Sequence, residues 1–386
     1  VIDLGWEPQW LIVKRATGGS FDDWWLFDDM RGISTSYLFP NLSSAEGSSN
    51  VVDLNATGFQ PVITSGALNA SGSTYIYIAI RRGPMKTPTS GAEVFASIAT
   101  ANSAANAIQT TNFPVDFVFA KNKSSTLPPT VGTRLLGGSY FLTSGTSAET
   151  SWPYIFFDSN IGYYISTSGT YFNTNAVNHS FRRAPGFFDV VAYAGGSPYI
   201  ISHNLGAVPE LILVKSRSAS ENWAVYAGDP NSYLVLNSDA AESTTAASLY
   251  WSNTAPTSST FTCGAAGATG GPGYNYIAYL FATVPGVSKV GSYTGTGTTL
   301  QVDCGFASGA RFVLIKRTDS TGDWYVWDTA RGIVSGLDPY LLLNSSAAEV
   351  TSTDYVDPYS AGFEINSTAP AAINASGGSF IYLAIA

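Results

Sequence analysis

Residues 311–332 read RFVLIKRTDSTGDWYVWDTARG. An apolar run, Phe312-Val313-Leu314-Ile315, ends in the basic pair Lys316-Arg317. A polar segment follows, then Trp324-Tyr325-Val326-Trp327, and the stretch closes on Asp328 and Arg331-Gly332. Two short β-branched and aromatic runs around a Gly/Asp/Ser turn predict a hairpin. The pattern recurs near the start as WLIVKR (residues 10–15), DWWLFD (23–28) and Arg31-Gly32. It recurs again as LILVKSR (211–217) and NWAVY (222–226).

A second motif measures the period. Tyr, seven intervening residues and an Ala-Glu step occur at Tyr37/Glu46, Tyr140/Glu149, Tyr233/Glu242 and Tyr340/Glu349. Asn stands four positions after the Tyr at Asn41, Asn237 and Asn344, with Ser144 in the remaining copy. Repetition of this kind signals a repeat architecture. It divides the chain into module 1 (residues 1–82), a divergent module 2 (83–184), module 3 (185–284) and module 4 (285–386).

Modules 3 and 4 open with VVAYAG (190–195) and VGSYTG (290–295); module 1 has no such leading strand, so residues are expected before Val1. The closing strands are YIYIAI (75–80) in module 1 and FIYLAI (380–385) in module 4. Module 2 passes from DFVFAK (116–121) through Leu127-Pro128-Pro129 and Arg134-Leu135-Leu136 to its Tyr140, with no Trp-rich second strand in the reading. Residues 92–107 are Ala-rich but read as loop or strand. Six to nine short strands per unit, turn residues every 8–12 positions and almost no helical periodicity predict an all-β chain. The expectation is tandem β-sandwich modules of about 100 residues, of jelly-roll or lectin-like type. A propeller blade is too short to fit that period.

The 386 residues are 12% charged with net charge -9 and no basic block, which argues against a nucleic-acid surface. No apolar run reaches the length of a membrane span. Cys263 and Cys304 flank a module junction, so either one bridge or two buried thiols fits them.

Chemistry is sparsely signalled. His179 and His203, the only histidines, lie outside metal-ligand spacing and read as turn or strand-edge residues. Asp22, Asp23, Asp28, Asp29, Asp319, Asp323 and Asp328 gather around Trp24 and Trp324. Asp28 and Asp328 each precede an Arg by three residues, which favours a structural Asp–Arg contact over a cation site. The repeated Glu is expected to bond turn amides. In each Lys-Arg pair one side chain is expected in solvent and the other over a Trp. Of Trp324 and Trp327 one is expected in the core and the other exposed or at an interface. No catalytic, cofactor-binding or metal-binding residue is assigned. Binding is expected in the insertions, residues 143–174 and 264–273.

The segments LGAVPELILVKSRS (205–218), GPMKTPTSGAEVF (83–95) and FRRAPGFFDVVAY (181–193), with the closing YIYIAI, resemble a repeat module of virion structural proteins, tail or fibre-like, from marine and cyanobacterial tailed phages. The resemblance implies a lectin-like or jelly-roll sandwich, a place in the virion, other virion proteins as partners and no catalytic residues. Expected roles are attachment to host-surface glycan, or a purely structural part such as a head decoration, capsid fibre or baseplate protein; a polysaccharide depolymerase is the minor alternative. Homo-oligomerisation, preferably as a trimer, is expected because weak surface binding gains from avidity.

Overall fold

The computed structural model describes the chain except residues 18–22, 34–35, 64–65, 82–84, 100–107, 125, 152–154, 167–169, 174 and 197–198. The architecture is all-β, built from one antiparallel sheet pattern repeated along the chain. In modules 2 to 4 the sheet has five strands in one order. A leading strand lies beside the closing strand; next come the strand that carries the repeated Lys, the hairpin strand and a short outer strand.

In module 4 these are Ser288–Thr294, Ser379–Ile385, Phe312–Arg317, Trp324–Asp328 and Leu341–Leu342. Module 3 uses Phe188–Ala194, Asn275–Phe281, Leu211–Ser216, Ala224–Tyr226 and Leu234–Val235. Module 2 uses Phe95–Ala99, Ala176–Phe181, Phe117–Asn122, Thr130–Thr133 and Tyr140–Leu142. Module 1 keeps Tyr75–Arg81, Pro8–Arg15 and Trp24–Asp28.

The register makes the repeated lysines equivalent. Lys14 pairs with Ile76, Lys121 with Val177, Lys215 with Ile277 and Lys316 with Ile381. The second strand that was not expected in module 2 is present as Thr130–Thr133, paired on both sides. Only its Trp is missing: continuing the register past Thr130 brings Pro129 opposite Lys121, where modules 1, 3 and 4 have Trp. Residues 91–93 form a single 3-10 turn with Ser90 as N-cap, and Phe95–Ala99 is the leading strand of module 2. The rest of the Ala-rich stretch, 100–107, lies outside the described residues.

A second, smaller layer completes each sandwich. In module 4 it is Leu300–Asp303, Gly362–Ile365 and Val356–Tyr359. Side chains alternate across a strand, so an apolar run such as Phe312-Val313-Leu314-Ile315 must bury two faces. Val313, Ile315 and Trp327 fill the space between the two layers with Phe363 and Ile365. Ile212, Val214 and Leu280 do so in module 3 with Phe261, and Val118 and Ala120 in module 2 with Ile155 and Tyr163.

The other face points into a core that the modules share. Phe117, Phe119 and Phe181 of module 2 meet Leu211, Leu213 and Phe281 of module 3 and Phe312, Leu314 and Ile385 of module 4. Rings touch across the boundaries: Phe117–Tyr279 at 4.7 Å, Phe181–Phe281 at 5.8 Å and Phe95–Phe312 at 5.3 Å. Each large apolar side chain placed there contributes roughly 1.5–3 kcal/mol. Both tryptophans of the hairpin strand are therefore buried, Trp324 on the shared face and Trp327 inside its own sandwich. Trp324 is indeed at an interface, but neither is exposed.

Candidate functional site: the seams between modules

Modules 2, 3 and 4 close a ring, because one contact is made three times in cyclic order. The backbone N–H of Glu149 donates to the Arg217 carbonyl (3.0 Å), that of Glu242 to Thr318 (2.8 Å) and that of Glu349 to Lys123 (2.8 Å). Each acceptor stands two residues beyond the repeated Lys of the next module. The Ala-Glu step that spaced the sequence is thus the tooth of an inter-module seam.

Lys and Trp complete the seam. Lys316 Nζ donates to the carbonyls of Gly322 (2.7 Å), Ala240 (2.9 Å) and Asp239 (3.1 Å), the last two on the neighbouring module. Lys215 Nζ donates likewise to Glu221 (2.9 Å) in its own turn and Thr146 (3.0 Å) across the seam. Lys121 reaches Leu127 (2.7 Å). Burial pushes each of these ammoniums down to about 8. The three carbonyls around Lys316 need three N–H donors, which only the charged form has. The side chain expected over a Trp is this one, with Lys316 Nζ 6.0 Å from the Trp324 ring.

Trp223 Nε1 donates to Leu142 (2.9 Å) and Trp324 Nε1 to Val235 (3.1 Å), again across the boundary. The repeated Asn fixes the tryptophan strand: the Oδ1 atoms of Asn41, Asn237 and Asn344 accept from the N–H of Trp24, Trp223 and Trp324 at 2.9–3.0 Å.

The Asp–Arg step forms as its spacing suggests. Arg31 Nε meets Asp28 Oδ2 at 2.6 Å and Arg331 Nε meets Asp328 Oδ2 at 2.5 Å; the same guanidiniums reach Glu46 (3.4 Å) and Glu349 (3.3 Å). Gly32 and Gly332 follow with φ +87° and +124°, which favours glycine at the turn. The repeated Glu carboxylate takes an Arg in modules 1, 2 and 4 and the Ser232 hydroxyl in module 3, where the sequence suggested turn amides.

His179 is a correction of another kind. It lies in the middle of Ala176–Phe181, fully buried on the shared face, with Nε2 3.7 Å from Asp328 of module 4 and Nδ1 3.0 Å from Ser97 Oγ. Burial holds its pKa down to about 4, against the pull of Asp328. The nearby Phe-Arg-Arg-Ala-Pro exit made it read as a strand edge. His203 is also buried, between the Thr257 carbonyl and the Leu205 amide. Cys263 and Cys304 are two free, buried thiols. Burial pushes them up to about 12 and about 11.

Module 1 is held by a buried charge cluster that the sequence did not flag. Arg183 grips Glu7 through both terminal nitrogens (2.7 and 2.6 Å), and its Nε meets Asp189 at 2.8 Å. Its own N–H donates to Asp116 at 2.7 Å. Burial alone would lower the guanidinium pKa, but Glu7 and Asp189 outweigh it and raise it.

Among the described residues, the clefts between modules include two of about 300–400 Å³. One of about 310 Å³, between modules 3 and 4, is lined by Val208, Glu210, Tyr226, Ser292 and Tyr382 among others. The other, about 400 Å³, joins module 1 to the module 2 insertion and is lined by Arg31, Glu46, Ser139, Ser151, Phe156 and Asp158 among others. At the insertion 264–273, Tyr193 and Tyr276 donate their hydroxyls to the carbonyls of Thr269 (2.7 Å) and Gly267 (2.6 Å) and tie the loop to the sheet. Among the described residues, no group of three His, Cys, Asp or Glu could hold a metal ion, and no helix is long and apolar enough to cross a membrane.

The chain belongs to the family described as a domain of unknown function, DUF7483, whose model matches residues 1–84 and 166–386. The unmatched interval falls in module 2, the copy that departs most from the repeat. No curated protein and no solved structure matches the chain.

Proposed function

We propose that this chain is a non-enzymatic structural protein of a tailed-phage virion, of tail or fibre type, which displays β-sandwich modules at the host surface. The observation that carries the structural role is the use made of the repeated polar residues. Lys215, Lys316, Trp223, Trp324 and the Ala-Glu amides are engaged in joining modules, and Lys316 and Trp324, which also border the cleft between modules 3 and 4, have their polar atoms bonded across the seam. The virion setting rests on the resemblance of the repeated segments. Immunogold labelling of purified virions with an antibody to this chain tests it. Label at the tail or its fibres is the expected result; label on the capsid lattice moves the reading to a head decoration, and unlabelled particles overturn it.

The cleft between modules 1 and 2 supports attachment to host glycan over a purely architectural part. Phe156 is 40% exposed beside charged and hydroxyl side chains of Arg31, Glu46, Ser151 and Asp158, a combination of ring platform and polar rim suited to a sugar. Binding of the whole chain to a host-surface polysaccharide, lost at least tenfold in Phe156→Ala, is the expected outcome. Equal binding by both proteins removes this cleft as the site.

A further inference from the structure

Module 1 carries the ring-forming face of modules 2 to 4 but has no ring. The positions equivalent to Val177, His179 and Phe181, buried at the shared core, are Ile76, Ile78 and Ile80. These three are 51%, 60% and 49% exposed. Across the same face, Lys14 and Trp24 are only half-buried, whereas Lys316 and Trp324 are sealed by the neighbouring module. The two remaining seam elements of module 1 also point outward: Glu46 and Ala16 are both exposed.

We infer that module 1 assembles three chains into a homotrimer, repeating between chains the ring that modules 2, 3 and 4 make within one. The occupant of the open face is a second and third copy of this module, since the protein itself shows the complement of that face three times over. A contiguous row of exposed isoleucines on a sheet face is costly in water and marks an association surface. Closed threefold symmetry follows because the internal contacts run head to tail and close after three steps. By equivalence with the internal seams, the Glu46 N–H of one copy donates to the Ala16 carbonyl of the next. Trp24 Nε1 takes the Phe39 carbonyl, and Lys14 takes carbonyls around Ser43 and Ser44. The inference rests on the internal geometry alone and stands or falls apart from the virion reading.

Sedimentation of the whole chain measures the mass: the trimer is expected at three times 40.7 kDa. Ile78→Asp alters a side chain that is mostly exposed in the single chain, so the fold survives and the mass is expected to drop threefold. As an independent reading, Ala16→Cys with Glu46→Cys is expected to give disulfide-linked dimers and trimers under oxidation, while the buried Cys263 and Cys304 stay unreacted. A monomer or a dimer for the unaltered chain overturns the inference. So does a trimer that persists in Ile78→Asp, or cysteines that fail to link in an otherwise trimeric protein.

Discussion

The backbone N–H of Glu349 in the last module donates to the carbonyl of Lys123 in the second, at 2.8 Å. Together with the Thr143 hydroxyl on the Leu343 carbonyl (2.6 Å), this bond closes the seams 2-to-3 and 3-to-4 into a ring. Modules 2 and 4, farthest apart of the three along the chain, are therefore neighbours in space, and the shared core is complete only when module 4 is present.

Lys316 makes two of its three hydrogen bonds across the seam. Lys316→Met keeps the length of the side chain but leaves the carbonyls of Asp239, Ala240 and Gly322 without their donor. Unpaired buried acceptors make this cost about 2–4 kcal/mol. Guanidinium denaturation of the whole chain measures it; a cost under about 0.5 kcal/mol, typical of a surface change, would show that the lysine is not a structural member.

His179 makes the shared core acid-sensitive. Its folded pKa, about 4, lies below the ordinary value of about 6.5, so the unfolded chain takes up a proton first. The stability that neutral His179 contributes is full above pH 6.5 and is lost as the pH falls towards 4, at up to about 1.4 kcal/mol per unit. Burial pushes Asp338 the other way, up to about 7, so its contribution is lost as the pH rises from about 4 towards 7. The difference between the unaltered protein and His179→Gln cancels the Asp338 share. That difference is expected to shift steadily between pH 6.5 and 4, and a flat difference would refute the assignment.

Much of this was legible in the sequence, for a physical reason. In modules 2 to 4 the Tyr and Ala-Glu spacing has a common cause, because each Glu amide reaches a carbonyl two residues past the next Lys. What escaped the reading was where the Lys points. In Phe312–Arg317 both alternating faces are apolar until Lys316, which says that the strand is buried on both sides. The usual expectation for a lysine, that its head lies in water, concealed that signal. Module 2 hid its second strand because Pro128-Pro129 stand where the Trp of the other modules begins the strand, and Gly132 interrupts the short β-branched run of Thr130, Val131 and Thr133. The Arg183 cluster joins residues from three modules, and no local spacing announces such a meeting.

Arg183 is the clamp on module 1. Arg183→Met leaves Glu7 and Asp189 buried without their cation, which costs about 3–5 kcal/mol. Because Glu7 is the residue by which module 1 joins this cluster, the loss should appear first as local opening of module 1. Tryptic cleavage in the segment around Arg81 and Arg82 is expected to speed up at least tenfold; cleavage at the unaltered rate would show that other contacts hold module 1.

The thiols offer a simple check of burial. Cys263 and Cys304 are enclosed, and burial keeps both protonated, so neither should react with a thiol reagent in the native protein at pH 8. Both should react at once in denaturant. Rapid labelling of one equivalent in the native state would place that cysteine at the surface.

At one level of the ring, modules 2, 3 and 4 present His179, Tyr279 and Leu383 in equivalent register. An assembly of three identical subunits must accept any substitution near its axis three times at once, so a lone ionisable group there is forbidden by symmetry. Covalent linkage of the three modules lifts that restriction. It lets a single histidine meet a single aspartate where a symmetric assembly would have to bury three of each.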